Sequence, residues 1–128
     1  DRSVHLTEFI RGFGVRADPA WTTAMRVCAE ATRALERAKS EQGIDNRLDA
    51  GVVLPGREGE LARLDLTDLA DVLGVSRVSL DPSAAEPRVT DLRDQPRCER
   101  SWKRDGTVKP RADGGLLSDR DAAAVGLA

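Results

Sequence analysis

The stretch DPAWTTAMRVCAEATRALERAKSEQG, residues 18–43, carries the longest periodic pattern in this 128-residue chain. Asp18 suits an N-cap, Pro19 suits the first helical position, and Gly43 is typical of a helix end. Apolar residues recur between them at steps of three and four, the spacing of one helix face. We therefore predict a helix over residues 19–39. Its buried stripe is predicted to contain Trp21, Met25, Cys28, Leu35 and Ala38, widened by Ala24, Val27, Ala31 and Ala34.

Residues 51–92 have a different pattern, in which short apolar runs are separated by Gly and Pro. The pattern predicts five short elements: a buried strand at 51–54, one or two helical turns at 58–64, a helix at 68–73 capped by Thr67, a half-buried strand at 75–80 and a strand at 88–92. Strand, helix and strand within about thirty residues indicate a compact α/β unit.

These patterns predict an α+β fold with one long helix, a small mixed α/β unit and an irregular basic C-terminal lobe. Residues 1–50 are expected to hold an extended lead-in and the long helix, residues 51–95 the α/β unit, and residues 96–128 the basic lobe. A short helix capped by Ser118 is predicted to end the chain. The sole histidine, His5, is interpreted as a packed or surface residue without an acid–base role.

Composition limits the possible functions. The net charge of −2 does not suit a general nucleic-acid polyelectrolyte, and we predict no DNA partner. No apolar run approaches the roughly 18 residues of a membrane helix, and the start of the chain lacks a signal-peptide pattern. With only two cysteines, these features predict a reduced, cytoplasmic protein without a membrane partner. The first residue is not Met, so we expect a piece of a longer protein.

Positive charge is concentrated in residues 97–111, which carry six cations and two anions. The net charge of this segment is +4, so the remainder of the chain carries −6. Because Trp102 lies within it, the segment offers phosphate contacts and a stacking surface, the combination used in RNA recognition. The alternative is a solvated basic loop with Trp102 packed in the core. The candidate RNA-binding residues are Arg97, Arg100, Trp102, Lys103 and Arg104.

Cys98 and Ser101 have the spacing of a Cys-x-x-Cys metal-binding turn whose second cysteine is replaced. A structural zinc requires four ligands, usually thiolates or imidazoles, and a serine hydroxyl is a poor substitute. Cys28, within the predicted helix, is interpreted as a small buried apolar residue. We therefore expect no metal, no disulfide and a free, partly buried Cys98 thiol.

No catalytic signature appears in the chain. It contains neither a phosphate-binding Gly-x-x-x-x-Gly-Lys loop nor residues arranged as a nucleophilic triad. Carboxylates such as Asp68 and Asp71 are more simply explained as charges at a helix start. The residues therefore predict a non-catalytic module.

The order of these segments resembles the C-terminal end of bacterial isoleucyl-tRNA synthetases. In that family a Ser-Val-His-Leu-x-x-Phe segment leads into the last helix of the anticodon-binding bundle. A small α/β stretch, a Lys-Cys-x-Arg-Cys-Trp zinc knuckle and, in some forms, a Leu-Ser-x-Arg-Asp-Ala-x-Ala-Val ending follow in order. The similar segments here are residues 3–9, 44–52, 68–78, 97–103 and 117–125.

The resemblance implies a non-catalytic part of a class I aminoacyl-tRNA synthetase that helps to hold the anticodon arm of isoleucine tRNA. Its partners would be tRNA and the N-terminal synthetase body, which would use ATP and magnesium to ligate isoleucine to tRNA. The family's His-Ile-Gly-His and Lys-Met-Ser-Lys-Ser signatures are absent from this chain. The resemblance also implies that packing of Trp102, Leu116, Leu117 and Val125 replaces the zinc.

Two other interpretations stay open. A protein-interaction module, or a stand-alone divergent relative without an RNA role, would dock a basic partner on an acidic surface. That surface would include Glu58, Glu60, Asp65, Asp68 and Asp71. A hydrolase of mischarged tRNA would need a nucleophile or an activated water, for which we find no candidate residues.

Overall fold

A computed structural model describes residues 12, 14, 16, 18–56, 59 and 61–128, and it confirms the predicted α+β arrangement. The long helix α1 runs over Pro19–Gln42. The Asp18 side chain accepts a hydrogen bond from the Ala20 backbone N–H at 2.9 Å, and Gly43 ends the helix with a φ of 66°. Both predicted caps are therefore confirmed, and the helix extends three residues beyond its predicted end.

One face of α1 is buried, largely as its periodicity predicts. The buried residues are Ala20, Ala24, Val27, Cys28, Ala31, Ala34, Leu35 and Ala38. Met25 was wrongly assigned to this stripe, since 54% of its surface is exposed. It lies at the border of the apolar face, where the neighbouring elements do not cover it. At the other end of the helix, the guanidinium of Arg93 donates to the backbone oxygens of Gln42 and Gly43 at 3.1 and 3.2 Å.

The three-stranded sheet has the order β2-β1-β3 and consists of β1 (Ala50–Pro55), β2 (Arg77–Asp81) and β3 (Arg88–Asp91). β1 pairs in parallel with β2 and antiparallel with β3, so Val52 lies between Val78 and Val89. These central valines suit a sheet with a covered face. The predicted strands are confirmed, and one continuous core joins α1 to this unit. The division into residues 1–50, 51–95 and 96–128 stays a prediction.

Helix α2 (Leu66–Leu73) connects β1 to parallel β2, as such a crossover requires. Its N-cap is Asp65, whose side chain accepts from the Thr67 backbone N–H at 2.7 Å. The prediction that Thr67 caps this helix was wrong, because Asp65 occupies the cap and Thr67 lies inside the first turn. Before α2, Leu61–Arg63 forms a single 3-10 turn. His5, Glu58, Glu60 and the segment 3–9 lie outside the described residues.

The C-terminal lobe contains β4 (Lys109–Pro110), β5 (Leu116–Leu117) and helix α3 (Asp119–Ala124). The predicted cap of α3 is confirmed, since Ser118 Oγ accepts from the Asp121 backbone N–H at 3.2 Å. The lobe has a small buried core of its own, formed by Cys98, Val108, Leu117 and Ala122. None of the helices described is long and apolar enough to cross a membrane.

Ser76, Arg77 and Arg104 join the C-terminal lobe to the sheet. The backbone N–H of Arg104 donates to the buried Ser76 hydroxyl at 2.7 Å. The Arg77 guanidinium donates to the Arg104 carbonyl oxygen at 2.8 and 3.2 Å. Because these polar groups are largely removed from water, their hydrogen bonds fix the orientation of the lobe against β2.

Candidate functional site

Residues 97–103, which we call the knuckle loop, form a tight turn closed by two backbone hydrogen bonds. The Trp102 N–H donates to the Cys98 carbonyl at 2.9 Å, and the Cys98 N–H donates to the Lys103 carbonyl at 2.8 Å. Trp102 has a φ of 64°, the left-handed conformation that side chains other than Gly rarely adopt. This conformation costs roughly 1–2 kcal/mol, so the surrounding turn must impose it.

The knuckle loop exposes the Trp102 ring outside the small core of the C-terminal lobe. About half of the residue, 51%, is accessible to solvent. The Arg97 guanidinium carbon lies 4.6 Å from the centroid of the ring, within the range of a cation–π contact. Of the two roles considered for Trp102, this exposure disfavours that of a core residue and leaves ring surface available to a partner.

Arg100 is the second exposed cation of the knuckle loop. Its side chain is 56% exposed, and its Nε lies 3.6 Å from Asp121 Oδ1. A pair at this distance and exposure contributes little to stability, because water screens it. The Arg100 guanidinium can therefore exchange this contact for a phosphate at small cost.

Lys103 and Arg104 have different surroundings. Lys103 Nζ forms an ion pair with Asp71 of α2 and is only 18% exposed. Arg104 Nε lies 2.8 Å from Asp49 Oδ1, with the two side chains 15% and 22% exposed, and its Nη1 donates to the Gln95 carbonyl. Both cations thus hold the lobe against the α/β unit, a role that the sequence did not reveal because their partners lie far away in the chain.

The positive segment 97–111 is accordingly neutralised in large part within the fold. Lys109 and Arg111 both pair with Asp119, at 3.3 and 2.7 Å. The side-chain hydrogen bond of Arg111, the largest cause, and that of Lys109 lower the pKa of Asp119. Of the five candidate RNA-binding residues, only Arg97, Arg100 and Trp102 are exposed, and Arg97 contacts the Trp102 ring.

The interior of the C-terminal lobe contains a polar cluster formed by Cys98, Ser101, Ser118 and Asp121. Cys98 Sγ donates to Asp121 Oδ2 at 3.1 Å, and Ser118 Oγ donates to the same oxygen at 2.9 Å. Ser101 Oγ is buried beside them without a well-formed hydrogen bond. The cluster consists of two residue pairs of equal spacing, 98 with 101 and 118 with 121, on facing segments.

Polar contacts and burial together shift the pKa values of Asp121 and Cys98 in the polar cluster. A contact from the Ser101 side chain is the main cause of a lowered pKa at Asp121; burial opposes it, while Cys98, Ser118 and Arg100 support it. Burial, the largest cause, raises the pKa of Cys98, but the polar groups of Ser101 and the backbone of Ser118 outweigh it, so the pKa is lowered. By contrast, burial raises the pKa of Cys28.

The polar cluster does not suit zinc. Ligands at 2.0–2.3 Å from a tetrahedral zinc lie roughly 3.3–3.8 Å apart, whereas these donors and acceptors lie at direct hydrogen-bonding distance. Two of the four groups are hydroxyls, which compete poorly for the metal. Within residues 18–56, 59 and 61–128, no group of three or more His, Cys, Asp and Glu side chains could hold a metal ion.

Packing in the C-terminal lobe also differs from the expectation. Leu117 is buried and Leu116 packs against the small core, but Val125 and Trp102 are 42% and 51% exposed. The expectation that Val125 and Trp102 form the packing that replaces zinc was therefore wrong. Both residues lie on the outside, and Cys98 and Ala122 fill the interior instead.

A cleft of about 600 Å³ separates α2 and β2 from the knuckle loop and α3. Charges of both signs line it, including the cations Arg77, Arg100 and Arg120 and the anions Asp105 and Asp119. Such a mixed lining does not select a ligand of one charge. The cleft is therefore a weaker candidate site than the exposed surface of the knuckle loop.

The chain is 32% identical over 109 residues to the isoleucine-tRNA ligase of Dichelobacter nodosus. The match covers 80% of this chain but only 12% of that protein. No family model matches the chain. The chain is thus similar to a small part of a tRNA synthetase, which supports the resemblance recognised in the sequence.

Sequence reasoning missed several residues that shape the site. Ser118 was recognised only as a cap and Asp121 only as part of a helix, although the pair repeats the spacing of Cys98 and Ser101. That repeated spacing was the available signal. No local sequence pattern indicated that Asp49 and Asp71 pair with Arg104 and Lys103. Only the fold brings these carboxylates to the C-terminal lobe.

Proposed function

We propose that this chain is a non-catalytic, RNA-contacting part of an isoleucine-tRNA ligase, and that its knuckle loop contacts the anticodon arm of the tRNA. The observation that carries the proposal is the exposed Trp102 ring packed against Arg97, with Arg100 in the same loop. The similarity to a segment of an isoleucine-tRNA ligase supports the choice of RNA over other polyanions.

The chemistry of the knuckle loop fits a single-stranded loop of RNA. Proteins recognise such loops by stacking unpaired bases on aromatic rings or guanidinium planes. Trp102 supplies a ring, and Arg97 supplies both a plane and a charge beside it. Alanine substitution of a stacking aromatic residue typically costs about 1–3 kcal/mol of binding energy, which corresponds to a rise in Kd of roughly 5- to 150-fold.

The pairing of Lys103 and Arg104 with carboxylates limits the electrostatic part of the proposed contact. Each phosphate that a protein neutralises in single-stranded RNA contributes about −0.7 to the slope of log K against log salt concentration. Arg97 and Arg100 together then give a slope of about −1.4. If all four cations contacted phosphate, the slope would be about −2.8, so the measurement tests which residues take part.

In the proposed assembly the chain would act together with a larger synthetase body. That body would carry the ATP- and magnesium-dependent ligation of isoleucine to tRNA, and we propose a cytoplasmic location for it. The α1 helix would end the anticodon-binding bundle, and residues 96–128 would extend the RNA surface beyond it. None of the described residues of this chain is assigned a chemical step.

The experiment is a titration of labelled isoleucine tRNA with the 128-residue chain at two salt concentrations. We expect salt-dependent binding that Trp102→Ala and Arg97→Ala each weaken at least about fivefold. Arg37→Ala is the matched control, because Arg37 is an exposed arginine on α1, far in sequence from the knuckle loop. Equal losses from Arg97→Ala and Arg37→Ala would indicate non-specific attraction.

The rival protein-interaction module predicts another result, namely no tRNA binding even at low salt. Two of its proposed acidic residues already have partners in the fold. Asp65 caps α2, and Asp71 contacts Lys103 and Arg120. Asp71 therefore already has positive partners within the fold, which lowers the negative charge that the rival interpretation requires.

A further inference from the structure

Four polar side chains meet inside the C-terminal lobe, where the resemblance implies a zinc knuckle. We propose that the polar cluster is a metal-free structural equivalent of such a site: a hydrogen-bonded centre that closes the lobe without zinc. This inference concerns how the lobe is held together, and it does not depend on the proposed RNA contact.

Side chains from two separate segments of the lobe converge on one carboxylate. Cys98 and Ser101 lie in the knuckle loop, and Ser118 and Asp121 lie at the start of α3. The Sγ of Cys98 and the Oγ of Ser118 both donate to one carboxylate oxygen of Asp121, at 3.1 and 2.9 Å. Two segments separated by more than fifteen residues are thus joined at a single acceptor, as two ligand pairs are joined by one metal ion.

The knuckle loop keeps the shape of a closed turn without a metal ion. Its two closing backbone hydrogen bonds are formed, and the left-handed Trp102 lies between them. The backbone groups of Ser101 and Ser118 also lower the pKa of the Cys98 thiol. The sulfur therefore has polar neighbours in both segments, and its hydrogen bond to Asp121 requires no ion.

The members of the polar cluster are largely buried. Cys98 is fully buried and Ser118 is 2% exposed, while the Asp121 side chain is 14% exposed. A carboxylate this far from water needs partners, and the cluster supplies them. Because Asp121 accepts from both segments, it has the central role that the metal has in a zinc knuckle. Ser101 Oγ, the fourth member of the cluster, is buried without a well-formed hydrogen bond.

The first test compares melting temperatures of the 128-residue chain with and without a chelator. We expect neither chelation nor added zinc to move the melting temperature by more than about 1 °C. Asp121→Ala removes the shared acceptor and should lower it by about 4–8 °C. Asp94→Ala, a change at an exposed carboxylate of the preceding turn, is the matched control and should leave it within about 1 °C.

The second test converts the cluster into a zinc site. The triple variant Ser101→Cys, Ser118→Cys and Asp121→Cys places four thiols at the four positions. We expect it to bind one zinc per chain, with a higher melting temperature in zinc than in chelator. Cobalt should give the strong absorption of a tetrahedral thiolate site. If the variant is unfolded without zinc, the appearance of a folded circular dichroism spectrum on addition of zinc supports the proposal equally.

Three results would overturn the proposal. One zinc bound per wild-type chain, with a lower melting temperature after chelation, would show that the natural residues hold metal. An Asp121→Ala variant as stable as Asp94→Ala would show that the shared acceptor is not structural. A triple variant that binds no zinc, or that stays unfolded in its presence, would show that the four positions do not converge.

Discussion

Substitution of Arg104 with methionine removes the ion pair that joins the C-terminal lobe to the sheet. Arg104 Nε lies 2.8 Å from Asp49 Oδ1, and both side chains are mostly buried. Methionine keeps most of the aliphatic length but leaves the Asp49 carboxylate without its partner. Removing one member of a fully buried pair costs about 3–5 kcal/mol. Since these groups keep 15% and 22% exposure, we expect a loss of about 2–3 kcal/mol.

Urea denaturation followed by circular dichroism measures this loss as a change in the free energy of unfolding. For a chain of this size the loss corresponds to a fall in melting temperature of roughly 8–12 °C. Arg100→Met is the matched control, because Arg100 is 56% exposed and its carboxylate contact is long. We expect that control to cost no more than about 0.5 kcal/mol.

A double variant separates the ion pair from the other contacts of Arg104. Arg104→Met with Asp49→Leu removes both charges, and such apolar replacements are often close to neutral. We expect the double variant to be more stable than Arg104→Met alone by at least about 1 kcal/mol. A loss below about 1 kcal/mol in the single variant would refute the structural role of Arg104. No recovery in the double variant would show that its ion pair with Asp49 does not carry that role.

Three further substitutions test other parts of the structure. The pKa of Asp121 is lower in the folded protein than its ordinary value of 3.8. The ionised carboxylate therefore stabilises the fold at pH values above the unfolded-state pKa, and this stabilisation is lost as the pH falls through the folded-state pKa. Asp121→Asn should therefore flatten the acid limb of a plot of urea midpoint against pH; an unchanged slope would contradict this. Trp102→Gly relieves the left-handed backbone but removes the half-exposed ring, so urea denaturation should show a loss of about 1–2 kcal/mol. A loss above about 3 kcal/mol would instead indicate a core residue. Gly43→Ala adds a side chain at a φ of 66° and should cost about 1 kcal/mol by the same assay, whereas an unchanged stability would mean that the helix end relaxes.

Local signals were the ones that the sequence conveyed reliably. The caps at Asp18, Gly43 and Ser118 were predictable because a cap depends on a few adjacent residues. The cap of α2 was assigned to the wrong residue because Asp65 and Thr67 are both good caps, two positions apart. Met25 was assigned to the buried face because periodicity gives the direction of a stripe but not how widely its neighbours cover it.

Charge pairing was the part that the sequence did not reveal. The net charge of residues 97–111 indicated a positive patch, yet Lys103 pairs with Asp71 across 32 positions and Arg104 with Asp49 across 55. Such partners depend on the packing of the lobe against α2 and the sheet. A net charge counted along the chain therefore overestimates the positive surface whenever the fold brings carboxylates to it.

The exposure of Trp102 connects the two proposals. About half of the Trp102 residue is exposed. A packed aromatic side chain buries about 150–250 Å², so roughly 100 Å² of apolar area stays in contact with water. At about 25 cal/mol per Å², a partner that covered it would gain on the order of 2.5 kcal/mol. That gain is greatest when the ring is already held in position, because little side-chain entropy is then lost on binding. The polar cluster lies directly beneath the loop that fixes the Trp102 backbone, so a rigid interior and an available ring are two consequences of one arrangement.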